Sequence, residues 1–159
     1  MRKEAGYTLI ELMIVVGIIG ILITLSTPNY LIWPTKARLK EAHAMAGEFQ
    51  KDISDFYKRR GRFPKNNAEA GLPAPKLLIG NHVKSIEVED GVMHVTLGNR
   101  IEPFLRGKVF SVRPYVVEGS PKTPVAWGCG KATPPEGMKA VGKDRTNVDE
   151  VYLPAIHCL

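Results

Sequence analysis

The polarity of the chain changes abruptly along its first forty residues. From Leu12 through Thr35 there is no charged residue, whereas the preceding segment and the chain from Lys36 onward are richly charged. About 24 residues at roughly 1.5 Å rise make a helix of about 36 Å, enough to cross the hydrocarbon core of a bilayer. The pattern then becomes amphipathic. Leu39, Ala42, Ala46, Phe49, Ile53 and Phe56 recur at three- and four-residue spacing, which forms one apolar stripe. Lys58, Arg59 and Arg60 followed by Gly61 read as a helix stop. Basic side chains suit the negative end of the macrodipole, and glycine tolerates the left-handed cap. The spacing predicts one long helix from about Tyr7 to about Arg60, apolar all round over 7–34 and one-faced over 35–61. Pro28 and Pro34 should each disturb it, because proline removes an intrahelical hydrogen bond and clashes with the preceding turn.

Beyond Gly61 the period changes. Residues 62–82 are rich in Pro, Gly and Asn and read as a loop. Val83 to Val88 alternates loosely and Val92 to Leu97 alternates well, with Asp90-Gly91 between them as a hairpin signal. Val109 to Val117 alternates around Pro114, which predicts an edge strand or a bulge. Pro124 to Cys129 reads as a fourth strand. The predicted fold is α+β: a long N-terminal α-helix packed by its second half against a four-stranded antiparallel β-sheet over 83–128. A C-terminal region, 129–159, follows. The sheet is the available partner for the stripe from Leu39 to Phe56.

Composition adds exclusions. At 159 residues and 17.6 kDa, with 44% hydrophobic and 24% charged residues, the chain is neither wholly disordered nor collagenous. Two cysteines exclude a multi-disulfide scaffold. Cys129 and Cys158 lack the neighbours of a zinc site, so no metal is expected. His43, His82, His94 and His157 are scattered, and neither a phosphate-binding loop nor a nucleophile elbow is present. No catalytic residues and no cofactor are expected. The net charge of +6 raises the question of an anionic partner, and Lys58, Arg59, Arg60, Arg62 and Lys65 form the candidate nucleic-acid patch. A helix C-terminus attracts cations on its own account, so the patch also has a purely structural explanation.

The N-terminus begins with Arg2 and Lys3, as a secretory signal would, yet the apolar run exceeds an ordinary h-region and no small-residue cleavage site ends it. Glu11 stands at the edge of this run, where a carboxylate centred in a membrane would cost about 2.5 to 3.5 kcal/mol. Met1-Arg-Lys-Glu-Ala-Gly6, then Tyr7-Thr-Leu-Ile-Glu11 and an uninterrupted apolar stretch containing Gly20 and reaching Pro28, resembles the class III leader and N-terminal helix of a type IV pilin precursor. The resemblance implies that a prepilin peptidase cuts between Gly6 and Tyr7 and N-methylates Tyr7. The family's usual first residue is Phe, so Tyr7 departs from the pattern while keeping the ring. The new α-amine would be positive at neutral pH, and Glu11, one turn away, would neutralise that of an adjacent subunit and set axial register. The resemblance further implies a role in subunit assembly for Gly20 and Pro28. Charge alone leaves orientation open, because Arg2 and Lys3 oppose Lys36, Arg38 and Lys40. The leader pattern resolves it with the head outside the cytoplasm.

In that compartment Cys129 and Cys158 are expected to pair and to close the C-terminal loop. A loop of about 29 residues would constrain the unfolded chain by roughly 3 to 4 kcal/mol. The ending Tyr152-Leu153-Pro154-Ala155-Ile156-His157-Cys158 resembles the last strand of type IVa pilins. The implied function is a structural subunit held by membrane lipid in the inner membrane, then polymerised by the assembly machinery with identical or related subunits. The extracellular filament would serve adhesion to a host surface, twitching motility or DNA uptake. A minor pilin acting as a DNA receptor and a type II secretion pseudopilin are the alternatives.

Overall fold

The computed structural model describes residues 6–25 and 32–153. Pro28 and Cys158 therefore lie outside the described residues. The chain divides into two compact units, Met1–Trp33 and Pro34–Leu159.

In the first unit, α1 spans Leu9–Leu25. Its large apolar side chains from Leu9 to Ile23 are 49% to 77% exposed. The hydroxyl of Thr24 donates back to the Ile21 carbonyl at 2.7 Å, so this polar group is satisfied within the helix. Seventeen residues correspond to about 25 Å. Among the described residues no helix is long and apolar enough to cross a membrane. The expectation of a 36 Å span counted residues up to Thr35, part of which lies outside the described residues.

The predicted single helix is replaced over its second half by two: α2 (Ile32–Gly47) and α3 (Gln50–Arg60). Pro34 falls in the first turn of α2, where a missing N–H leaves no bond unmade, so it does not break this helix. The interruption comes instead after Gly47, a weak helix former. There the Phe49 amide donates to the Ala46 carbonyl at 3.1 Å, a three-residue step tighter than the α-helical one. The apolar stripe survives with one shift. Leu39, Ala42, Ala46 and Ile53 are buried, but the next buried position is Tyr57, one helical turn on, and Phe56 is only half-buried. Gly61 closes α3 in the left-handed region, its N–H donating to the Tyr57 carbonyl at 2.8 Å.

The sheet is antiparallel in the order β1 (Val83–Glu89), β2 (Val92–Leu97), β3 (Val109–Val116), β4 (Ala126–Cys129). A two-residue strand, β5 (Lys139–Ala140), was not expected; it pairs with the far end of β3. Asp90 (φ 48°) and Gly91 (φ 83°) make the β1–β2 turn, both at positive φ as a two-residue hairpin requires. β3 lies between β2 and β4, so Pro114 does not mark an edge strand. It sits past the end of the β2 pairing, which runs from Thr96↔Val109 to Met93↔Val112, and needs no donor there. Met93, Val95, Phe110, Val112, Ile86 and Val88 join Leu39, Ala42, Ala46 and Ile53 in one core. This is why the second helical segment and the sheet form an α+β head.

Residues 142–148 cross the other face of the sheet as a strap, held by hydrogen bonds along its length and by Val148 buried in the core at its end. The Arg145 amide donates to Ser111 Oγ (2.9 Å) and the Ser111 amide to Thr146 Oγ1 (3.0 Å). Val109 and Asn147 exchange bonds of 2.7 and 3.0 Å.

Candidate functional site

The described start of the chain joins Gly6, Tyr7 and Glu11 in one short stretch. Tyr7 is 92% exposed. The Thr8 hydroxyl and amide both donate to Glu11 Oε2 at 2.8 Å, and the Glu11 amide donates to Thr8 Oγ1 at 3.4 Å. Thr8 and Glu11 thus form a capping box at the start of α1, a role legible in Thr8-x-x-Glu11 but missed by the sequence reading. The carboxylate stands at the positive end of the helix dipole, and a cation approaching this end would meet it beside Tyr7. Gly17 and Gly20 lie within α1 with no atom near the Cβ position of either, so small residues mark open places on this helix.

The five-residue basic patch is not a uniform field. Arg62 makes a bidentate pair with Glu69, at 2.9 and 3.0 Å, and Glu69 also accepts the Lys65 amide at 2.7 Å. These hydrogen bonds, Arg62 first, hold the Glu69 carboxyl down to about 2. Lys58 lies 3.9 Å from Asp55. An anion reaching the end of α3 therefore meets Arg59, Arg60 and Lys65, with Arg62 already engaged by Glu69 and by the ring of Phe56.

One arrangement has the chemical form of a hydrolytic site. Ser111 Oγ is 3.0 Å from His94 Nδ1, and His94 Nε2 is 3.4 Å from Glu89. Ser111 is fully buried and His94 is 2% exposed, and the serine oxygen is already bonded by the Arg145 amide. No substrate reaches it. Burial, reinforced by the Arg145 charge, pushes the His94 pKa down despite Glu89 and Glu87. These residues anchor the strap. An open cavity of about 620 Å³ lies nearby, lined by Lys108, Lys131, Asn147, Asp149 and Glu150, and within it Lys131 is 3.4 Å from Glu150.

Cys129 ends β4 and is buried opposite Val112; its expected partner Cys158 lies outside the described residues. Neighbouring Gly128 is required by packing, because a Cβ there would lie 1.9 Å from the Tyr115 hydroxyl.

The sequence comparisons agree with this geometry. Residues 35–158 match the family model described as pilin (bacterial filament), and residues 1–27 match the prokaryotic N-terminal methylation motif. The chain is 35% identical over 158 residues to a type IV major pilin protein, PilE1, of Neisseria gonorrhoeae, covering 96% of this chain and 86% of that one. It is 31% identical over 161 residues to a fimbrial protein of Neisseria meningitidis serogroup B, covering 96% and 92%. It is also 30% identical over 159 residues to the fimbrial protein EcpC of Eikenella corrodens, covering 97% and 90%. With an N-terminal methylation motif, an exposed apolar helix and an α+β head matched along nearly its whole length, the chain belongs to the pilin family of bacterial filament subunits, whose members are structural and not enzymatic.

Proposed function

We propose that this protein is a type IV pilus subunit that is held in the inner membrane before assembly. It is cut between Gly6 and Tyr7, N-methylated at Tyr7, and polymerised through α1. The observation that carries this is the all-round apolar surface of α1, uncharged beyond Glu11. Such a helix is stable in a bilayer or among copies of itself and nowhere in water. Seventeen residues is the lower end of the length that spans a hydrocarbon core, and the uncharged run continues to Thr35.

Glu11 exchanges its local hydrogen bonds with Thr8 for the methylated amine of a neighbouring Tyr7, which fixes axial register. Gly20 and Pro28 serve subunit assembly through a gentle kink and close helix packing. Prepilin peptidase and the inner-membrane assembly machinery are the processing partners. Cys129 pairs with Cys158 and closes the C-terminal region. The close relatives named as major pilins favour the major-subunit reading for this chain. Adhesion, twitching motility and DNA uptake are all compatible with it. The receptor alternative draws on Arg59, Arg60 and Lys65.

Deletion of the gene followed by electron microscopy tests this. Loss of all filaments is expected, and persistent filaments of normal abundance would make the chain a minor subunit. Glu11→Gln separates the two roles of that residue, since glutamine preserves the capping box and removes the charge. Filament yield is expected to collapse with the helix start intact, and undiminished yield would remove the charge-pairing role.

A further inference from the structure

Within the strap, residues 142–147 are fixed at both ends and lightly held between them. At one end β5 pairs with β3, Ala140 opposite Tyr115 and Lys139 opposite Val116, and the Val141 amide donates to the Pro114 carbonyl at 3.0 Å. At the other end Val148 is buried in the core. Every residue from Gly142 to Asn147 is exposed or half-buried, so lifting this stretch uncovers little apolar surface of its own. Beneath it, His94 and Ser111 are shut off from water. The contacts run as one chain of donors and acceptors. His94 Nε2 faces Glu89 at 3.4 Å, which places the ring hydrogen on that nitrogen and leaves Nδ1 to accept from the Ser111 hydroxyl at 3.0 Å. Ser111 Oγ in turn accepts the Arg145 amide at 2.9 Å. This order holds for a neutral ring. A second ring proton, on Nδ1, would meet the Ser111 hydrogen head-on and turn that hydroxyl away.

The charges around His94 set the direction of the response. β1 contributes Glu87 and Glu89, and the strap contributes Arg145, whose guanidinium pairs with both carboxylates, at 3.3 and 2.6 Å. β2 carries no other charge, and Asp90 in the turn approaches the strap with its carbonyl, 3.6 Å from the Cβ position of Gly142. Lys143 is exposed, while Arg113 of β3 and Asp144 of the strap attract each other beside Ser111. The two carboxylates that could balance a charged ring are thus already engaged by Arg145. Burial, with Arg145 second, disfavours the charged ring more than Glu89 and Glu87 favour it. We propose that residues 142–147 are an acid-opened flap: when His94 takes up a proton, this stretch lifts off β2 and β3 between its two fixed ends. Lifting lets water reach the ring and withdraws Arg145 from it. In neutral medium the head displays Arg145 locked to Glu87 and Glu89; in mild acid it displays three separate charges and a loosened backbone.

The test reads amide exchange of the full chain in detergent micelles by NMR from pH 7.5 to 4.5, expressed as protection factors so that the intrinsic pH dependence of exchange drops out. Protection of the Arg145 and Asn147 amides is expected to be level down to about pH 7 and then to fall, by about tenfold at pH 5.5, because the open flap binds one more proton at an ordinary histidine of about 6.5. The β2 amides stay better protected than these throughout. His94→Gln is expected to remove the fall. Level protection in the unaltered chain, or a fall that persists in His94→Gln, would overturn the inference. Strap and β2 amides converging on one value would also overturn it, because the whole head is then unfolding. Should His94→Gln not fold, the curve of the unaltered chain still decides. A fall that starts only below about pH 5 belongs to Glu87, Glu89 or Asp144 and overturns control by His94.

Discussion

At the scale of single residues the charges divide into those that serve the fold and those left for partners. Arg62 belongs to the first kind, since Glu69 takes both of its terminal nitrogens. Glu69 therefore titrates far below an ordinary carboxyl, at about 2, and Arg62→Gln should return it toward 4.5 in an NMR titration of the head. An unchanged midpoint would mean that the Lys65 amide alone sustains the shift. His94 shifts in the same direction for a different reason. Burial and Arg145 favour its neutral form, and burial does the same for His43. In each case the unfolded chain takes up a proton near pH 6.5 that the folded one refuses. Stability is expected to be flat above that pH and to fall below it until the folded histidines themselves protonate. Urea denaturation at pH 7.5 and 5.5 checks the sign, and His94→Gln should flatten part of the decline.

Among the elements, the strap across the sheet depends on one side chain more than any other. Ser111 Oγ accepts the Arg145 amide and meets His94 Nδ1. Ser111→Ala should cost about 1 to 3 kcal/mol and speed exchange of the Arg145 amide, because two buried polar groups lose their partner. Ile53→Ala, in the helix-to-sheet core, should cost about 2 to 5 kcal/mol without that local acceleration. The contrast between these elements also marks what was legible in the sequence. The hairpin announced itself through Asp90-Gly91 between alternating residues, and the stripe from Leu39 to Ile53 through its period. The break after Gly47 did not, since the stripe continues across it and only the hydrogen bond of Phe49 to Ala46 reveals the tightened step. The switch from Phe56 to Tyr57 follows from that step and from Tyr57 stacking on Phe63 at 4.3 Å, a contact between an element and a later loop. The strap was hidden for a related reason. It is held by Ser111, Thr146 and Asn147 through backbone bonds, which leave no apolar periodicity to read.

For the molecule as a whole, the sequence carried the leader, the apolar run and the family, because these are written locally in consecutive residues. It did not carry the distribution of charge. Lys58 through Lys65 are adjacent in the chain and look like a patch, yet Asp55 and Glu69 answer two of them. Thr35 and Arg38 are far from Glu102 in the chain, yet both side chains meet its carboxylate. Cutting after Gly6 would remove Arg2, Lys3 and Glu4. Processing at that site is what turns the proposed membrane-held chain into a filament subunit. Intact-mass and N-terminal analysis of purified filaments reads that processing. The expected chain starts at Tyr7, is heavier than the cut sequence by one methyl and lighter by the two hydrogens of a Cys129–Cys158 bond; an intact Met1, or a cut beyond the apolar run, would contradict the proposed processing.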